Sequence, residues 1–163
     1  APRQRLGATP EQIWKEMILE AKAKEKTEKL PQVIATDISP EAIENAHTNA
    51  IAAGVAPYIQ FKACDFGETP VPEKKGCVFF NPEYGIRLGD PKELTPIYER
   101  IGTFMNEKCR GYTGGLITGN PELSHLVNLY YRTRIPFFNG PIDCRLFVYE
   151  GCELKGEHIN GAQ

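Results

Sequence analysis

The chain has 163 residues, 41% of them apolar and 25% charged, which is ordinary globular composition and enough for one domain with a core. Its formal net charge of −2 excludes a general electrostatic attraction to nucleic acid, so a grip on phosphates has to come from a local patch or from another domain. No apolar run is long enough to span a bilayer and no signal peptide is visible, so the expectation is a cytoplasmic protein with no membrane partner.

Residues 1 to 8 carry Arg3 and Arg5 without an apolar period and read as an irregular lead-in. Thr9-Pro10-Glu11-Gln12 supplies a cap hydroxyl, a proline at the first helical position and a Gln three residues after the cap; Ile13, Trp14, Met17, Ile18 and Ala21 follow at helical spacing. The stretch from Lys22 to Lys29 reads as a solvated charged end. Val33 to Ile38 is a short β-branched run containing Asp37, and Ser39-Pro40-Glu41 starts a helix with Ile43, Ala46 and Ala50 on one face, stopped by Gly54. Pro57 to Cys64 alternates as a strand before Asp65-Phe66-Gly67. After a Pro/Lys/Glu loop, Cys77 to Phe80 reads as a buried strand that runs into Asn81-Pro82-Glu83-Tyr84.

Asp90-Pro91-Lys92-Glu93 repeats the capping signature, and Leu94, Ile97, Tyr98, Ile101, Phe104 and Met105 form one helical stripe. Gly114 to Gly119 makes another strand, and Asn120-Pro121 caps a helix with Leu123, Leu126, Val127 and Tyr130 inward. Arg134 to Phe138 and Arg145 to Tyr149 flank a turn too short for a crossover helix, which predicts an antiparallel hairpin. The alternation of strand and helix, closed by that hairpin, predicts an α/β fold: a doubly wound, mostly parallel sheet with an antiparallel edge. Cys64, Cys77, Cys109, Cys144 and Cys152 show no Cys-x-x-Cys spacing and read as reduced, buried small hydrophobes. His47, His125 and His158 lack ligand spacing, so no metal site is expected.

The turn after Phe80 is where chemistry belongs, because open α/β sheets bind ligands beyond the carboxyl ends of their strands. Asn81-Pro82-Glu83-Tyr84 resembles the Asn-Pro-Pro-Tyr motif of S-adenosylmethionine-dependent amino-group methyltransferases. The run NPEYGIRLG, followed later by NGPIDCRLFVYEG, is similar to the bacterial guanine-N2 methyltransferases of large-subunit ribosomal RNA, a THUMP-associated family. The chain departs from that family at Glu83, which stands in place of a second proline, and in having no Gly-rich loop before Val33.

The resemblance implies the class I methyltransferase (Rossmann-like) architecture, with the first strand and its Gly-rich loop missing from this chain. It makes the chain the C-terminal part of a catalytic domain: a lead-in and helix over 1–30, a sheet core over 31–150 and a polar tail over 151–163. An upstream RNA-binding domain and a ribosomal RNA substrate are the implied partners, and S-adenosylmethionine the implied cofactor. Asp37, at a strand end before a helix cap, is placed to accept from two ribose hydroxyls, though a turn-forming acid reads the same way; Ile38 is either a surface for adenine or core. On the resemblance, Asp65 takes the adenine amino group and Phe66 lines the ring.

Asn81 and Pro82 are the implied catalytic pair, two acceptors that aim an amine whose lone pair is delocalised, with Asn81 also bordering the cofactor. Tyr84 offers a stacking face for a flipped base. The Glu83 carboxylate either reads guanine N1–H or points to solvent, and Arg87 is a candidate phosphate contact. The same acceptor pair also suits adenine N6 or a protein glutamine amide, and Glu83 leaves open a non-catalytic RNA-binding module.

Overall fold

A computed structural model of the chain describes residues 9–26, 28, 30–84 and 91–155. They form two compact units, which meet in the sequence at Cys64 and Asp65. None of the described helices is long and apolar enough to cross a membrane.

The first unit contains α1 (Pro10–Ala23), β1 (Val33–Asp37), α2 (Pro40–Ala52) and β2 (Ile59–Ala63). The expected capping box opens α1: the Thr9 hydroxyl accepts from Gln12 N at 3.3 Å, and Thr9 N donates to Gln12 Oε1 at 2.9 Å. The apolar stripe of α1 is not a core face, since no residue of this helix is buried and Trp14 is 62% exposed. Ser39 caps α2, and the helix ends in a Schellman motif. Gly54, at φ +73°, donates to Ile51 O, and Val55 N donates to Ala50 O, both at 2.9 Å. β1 and β2 pair in parallel, with Asp37 opposite Ala63. Ala50 is the one buried residue described in this unit, and Ala46, expected on the same face, is exposed.

The second unit holds β3 (Cys77–Phe80), α3 (Pro91–Lys108), β4 (Thr113–Thr118), the single turn α4 (Pro121–Ser124), β5 (Leu129–Asn139) and β6 (Ile142–Leu154). Its strands are ordered β3-β4-β6-β5; β3 and β4 run parallel, and β6 is antiparallel to both β4 and β5. Among the described residues β1 pairs only with β2 and β3 only with β4, so the strands pair as two sheets. The antiparallel share is larger than expected because β5 and β6 reach 11 and 13 residues.

The core lies between this sheet and α3, whose stripe of Leu94, Tyr98, Ile101, Phe104 and Met105 is buried as predicted. Asp90, the predicted cap, lies outside the described residues. Gly102 lets the chain after α4 approach α3, since a Cβ there would lie 2.1 Å from the Val127 carbonyl oxygen.

The helix expected after Asn120 is cut short. One α turn is followed by a 3-10 turn at His125–Val127, and Asn128 takes a left-handed φ of 53°. Tyr130 therefore sits in β5 and is exposed. At the other end, β6 continues through Gly151 and the buried Cys152 to Leu154, past the start of the predicted polar tail. Of the five cysteines Cys109, Cys144 and Cys152 are buried, Cys64 is half-buried and Cys77 is exposed; all are free thiols. Among the described residues β5 is an edge strand of this sheet, exposed over most of its length, with Arg132, Arg134 and Pro136 on it.

Candidate active site

Because β3 and β4 are parallel and in register from Cys77↔Thr113 to Phe80↔Leu116, their carboxyl ends lie at the same sheet rim. Asn81 to Tyr84 leave β3 there, Thr118 ends β4 and Asn120 follows it as the cap of α4. The aromatic ring before the turn is fixed from below. Phe80, Phe66 and Phe104 meet edge to face in a three-ring cluster, with centroids 5.5, 5.9 and 6.0 Å apart, an arrangement that suits the ring quadrupoles.

Two further contacts hold the turn itself. The Tyr98 hydroxyl, from α3, donates to the Glu83 carbonyl at 3.1 Å and lies 2.9 Å from Thr118 Oγ1. Asn120 N donates to the same Thr118 oxygen at 3.0 Å. Tyr98 and Thr118 are both fully buried, and burial pushes the Tyr98 phenol up to about 12, so it remains a proton donor at any working pH. Farther along, Asn139 Nδ2, at the end of β5, donates to the Tyr84 hydroxyl at 3.1 Å.

These contacts leave the two expected acceptors available. Asn81 is exposed and Pro82 half-buried, and among the described residues neither the Asn81 side chain nor the Pro82 carbonyl has a hydrogen-bond partner. The Glu83 carboxylate is exposed. Arg87 lies outside the described residues.

Asp65 sits one residue before a 3-10 turn, where its Oδ1 accepts from Gly67 N at 2.8 Å and from Arg100 at 2.5 Å. The Arg100 guanidinium, followed by the Gly67 N–H, holds the Asp65 carboxyl below its usual range. That guanidinium also lies 4.8 Å from the Phe66 ring centroid, so one face of the ring expected to line adenine already carries a cation. In the first unit, Asp37 Oδ1 accepts from Ser39 N at 2.8 Å, at the exposed end of β1, and Ile38 beside it is 75% exposed. A core role for Ile38 is thereby excluded within that unit.

Sequence reasoning missed Tyr98, Thr118, Arg100 and Asn139. Tyr98 looked like one more member of an apolar stripe, although a phenol at the centre of a buried stripe signals a hydroxyl in need of a partner. Among the described residues there is no group of three or more His, Cys, Asp or Glu side chains arranged to hold a metal ion.

Taken each within its own unit, two carboxylates have the chemistry an S-adenosylmethionine-type ligand asks for: Asp37 stands at the end of β1 in the first unit, and in the second Asp65 is held ionised, with its Oδ2 without a partner among the described residues. Ionised carboxylates suit ribose hydroxyls and an exocyclic amine, since both are hydrogen-bond donors.

Comparison with known proteins adds the following. The family of RMKL-like methyltransferase domains matches residues 3–147. The ribosomal RNA large subunit methyltransferase K/L of Chromohalobacter salexigens is 34% identical over 149 residues, covering 88% of this chain and 20% of that protein. The protein of the same name from Methylococcus capsulatus is 29% identical over 141 residues, covering 85% of this chain and 19% of its own length. The chain thus spans about a fifth of the length of these curated relatives.

Among solved structures, a candidate methyltransferase in complex with SAH superposes with a TM-score of 0.76 at 17% identity, over 92% of this chain and 39% of that one. A protein from Clostridium difficile 630, described as a possible methylase, gives 0.74 at 27% identity, over 85% and 37%. The likeness establishes the fold, the class I methyltransferase architecture expected from the sequence.

Proposed function

Because the chain belongs to the family of RMKL-like methyltransferase domains, we propose that it transfers a methyl group from S-adenosylmethionine to an exocyclic amine of an RNA base, specifically guanine N2 of large-subunit ribosomal RNA. One observation carries this reading: two acceptors without a partner among the described residues, the Asn81 amide and the Pro82 carbonyl, adjoin a turn held at the Glu83 carbonyl and the Tyr84 hydroxyl. The relatives' shared description as ribosomal RNA methyltransferases K/L supports the choice of RNA.

The guanine amine is a weak nucleophile because its lone pair is drawn into the ring. When the Asn81 Oδ1 and the Pro82 carbonyl each accept one N–H, the lone pair is left pointing away from both, toward the methyl donor. Pro82 suits this role because its fixed φ and missing N–H restrict the local backbone. The Tyr84 ring gives the extruded base a stacking surface. Bound S-adenosylmethionine supplies a methyl carbon activated by a sulfonium, open to direct displacement.

Asp37 would accept from ribose hydroxyls and Ile38 would pack on the adenine. Asp65 would take the adenine amino group, beside Phe66. The exposed Glu83 carboxylate reads guanine N1–H, and Arg87 contacts the RNA backbone. With a net charge of −2, most of the phosphate grip falls to an RNA-binding domain elsewhere in the same cytoplasmic protein.

The test is ribosomal RNA from a strain lacking the gene, incubated with the full-length protein and isotope-labelled S-adenosylmethionine, then digested and analysed by mass spectrometry. Label in one N2-methylguanosine, absent with Asn81→Ala, is the expected result. Label in adenine or in protein, or none, rejects the assignment.

A further inference from the structure

We propose that Tyr98 is a positioning residue for the acceptor turn: its hydroxyl, held by Thr118, fixes the Glu83 carbonyl and thereby the direction in which the Pro82 carbonyl points. This inference rests on the functional reading above.

Asn120 N–H donates to the Thr118 hydroxyl oxygen over 3.0 Å, and Tyr98 O–H donates to the Glu83 carbonyl over 3.1 Å. With the phenol proton on Glu83, the 2.9 Å contact between the two hydroxyls is a bond that Thr118 donates, and the Thr118 proton is shared between the Tyr98 oxygen and the Asn120 carbonyl at 3.2 Å. The chain starts just past the end of β4 and ends on the turn. Tyr98 and Thr118 are fully buried, so a phenol that let go of Glu83 would have only the Thr118 hydroxyl to turn to, and one buried partner would be lost. A restraint of this kind is much stiffer than a surface hydrogen bond.

Residue 83 needs such a restraint. A proline here would fix its own φ and would also hold the preceding residue in the extended region. Glu83 does neither, so ψ of Pro82, the torsion that aims the Pro82 carbonyl, is released. The Tyr98 hydroxyl restrains the next peptide unit, Glu83–Tyr84, and so limits the turn from the other side of the Glu83 Cα. The clamp and a proline at 83 are therefore alternative solutions to one problem, and this equivalence separates positioning from simple core packing.

The experiment measures methyl transfer to unmodified ribosomal RNA by the full-length protein, together with SAH affinity by calorimetry. Tyr98→Phe keeps the ring and removes the hydroxyl. It should lower kcat about tenfold, the scale of one lost hydrogen bond, with SAH affinity unchanged. Thr118→Val should do the same, Thr118→Ser should retain activity, and the Tyr98→Phe/Thr118→Val pair should be no worse than either change alone. Most tellingly, Tyr98→Phe should cost much less when Glu83→Pro is also present.

An unchanged kcat for Tyr98→Phe, a matching fall in SAH affinity, or a loss that Glu83→Pro does not relieve overturns the positioning role alone. A wild-type protein that methylates no RNA removes the functional reading and this role with it.

Discussion

The Tyr84 hydroxyl accepts a 3.1 Å hydrogen bond from Asn139 Nδ2, which ties the turn after β3 to the end of the β5–β6 hairpin. Two segments 55 residues apart in sequence are thus joined at the ring proposed to stack on the base. Asn139→Ala should raise the KM for RNA by about 3- to 10-fold, as expected for loss of one hydrogen bond, and leave SAH affinity alone. Tyr84→Phe keeps the stacking face and should give a similar value. Steady-state kinetics with both variants and their combination test this, and additive effects would argue that the bond is not the link.

Arg100 and Asp65 make the clearest electrostatic prediction. Asp65 titrates below its usual range because Arg100, then the Gly67 N–H, favour the carboxylate. A depressed folded-state pKa contributes stability above the unfolded-state value, and that contribution disappears as pH falls through the folded-state value. Arg100→Met should therefore raise the Asp65 pKa toward the ordinary aspartate value, so that less stability is lost in acid and the loss is complete at a higher pH. Carboxyl carbon NMR titration reads the shift, and an identical titration curve in the variant would show that Arg100 is not the cause.

Gly102 faces backbone, not a flexible side chain. A methyl added there would lie 2.1 Å from the Val127 oxygen and 2.8 Å from its carbonyl carbon. Gly102→Ala should destabilise the protein by about 1–3 kcal/mol, the usual cost of overpacking. Thermal or urea unfolding gives the number; a melting point equal to wild type would mean that the 3-10 turn at His125–Val127 moves aside freely.

The cysteines should separate by reactivity. Burial pushes Cys109 up to about 11 and Cys152 up to about 12, so both stay protonated and enclosed near neutral pH. Cys77 is exposed. Brief alkylation of the native protein, followed by peptide mass spectrometry, should modify Cys77 well before Cys109 or Cys152, and denaturant should abolish the difference. Equal labelling in the native state would contradict the packing described for β6.

The fold was legible wherever local signals agreed with burial. The box at Thr9 and Gln12, the stop at Gly54 and the stripe of α3 all formed as their spacing predicts. The failures have physical causes. The α1 stripe is periodic but finds no core within its unit, because periodicity encodes a face and not its partner. After Asn120 the helix stops because Asn128 turns left-handed, and β6 pulls Leu129 to Asn139 into a long strand through non-local pairing that no local window contains.

In the proposed site, the turn stands out in the sequence because the Asn amide, the Pro ring and the Tyr phenol mark it residue by residue. Its supports were not readable: Tyr98 acts through a backbone carbonyl 15 residues away in sequence, and Asn139 through a hydroxyl 55 residues away. Such contacts exist only once the sheet is assembled.

Among the described residues the 11-residue strand β5 has a neighbour on one side only, and an edge of this kind is the usual starting point for chains to stack into fibrils. Pro136 interrupts the row of donors, and Arg132 and Arg134 place charge where an incoming neighbour would have to lie flat. Replacing these three residues with apolar β-formers would leave the chemistry untouched and make the protein hard to keep in solution.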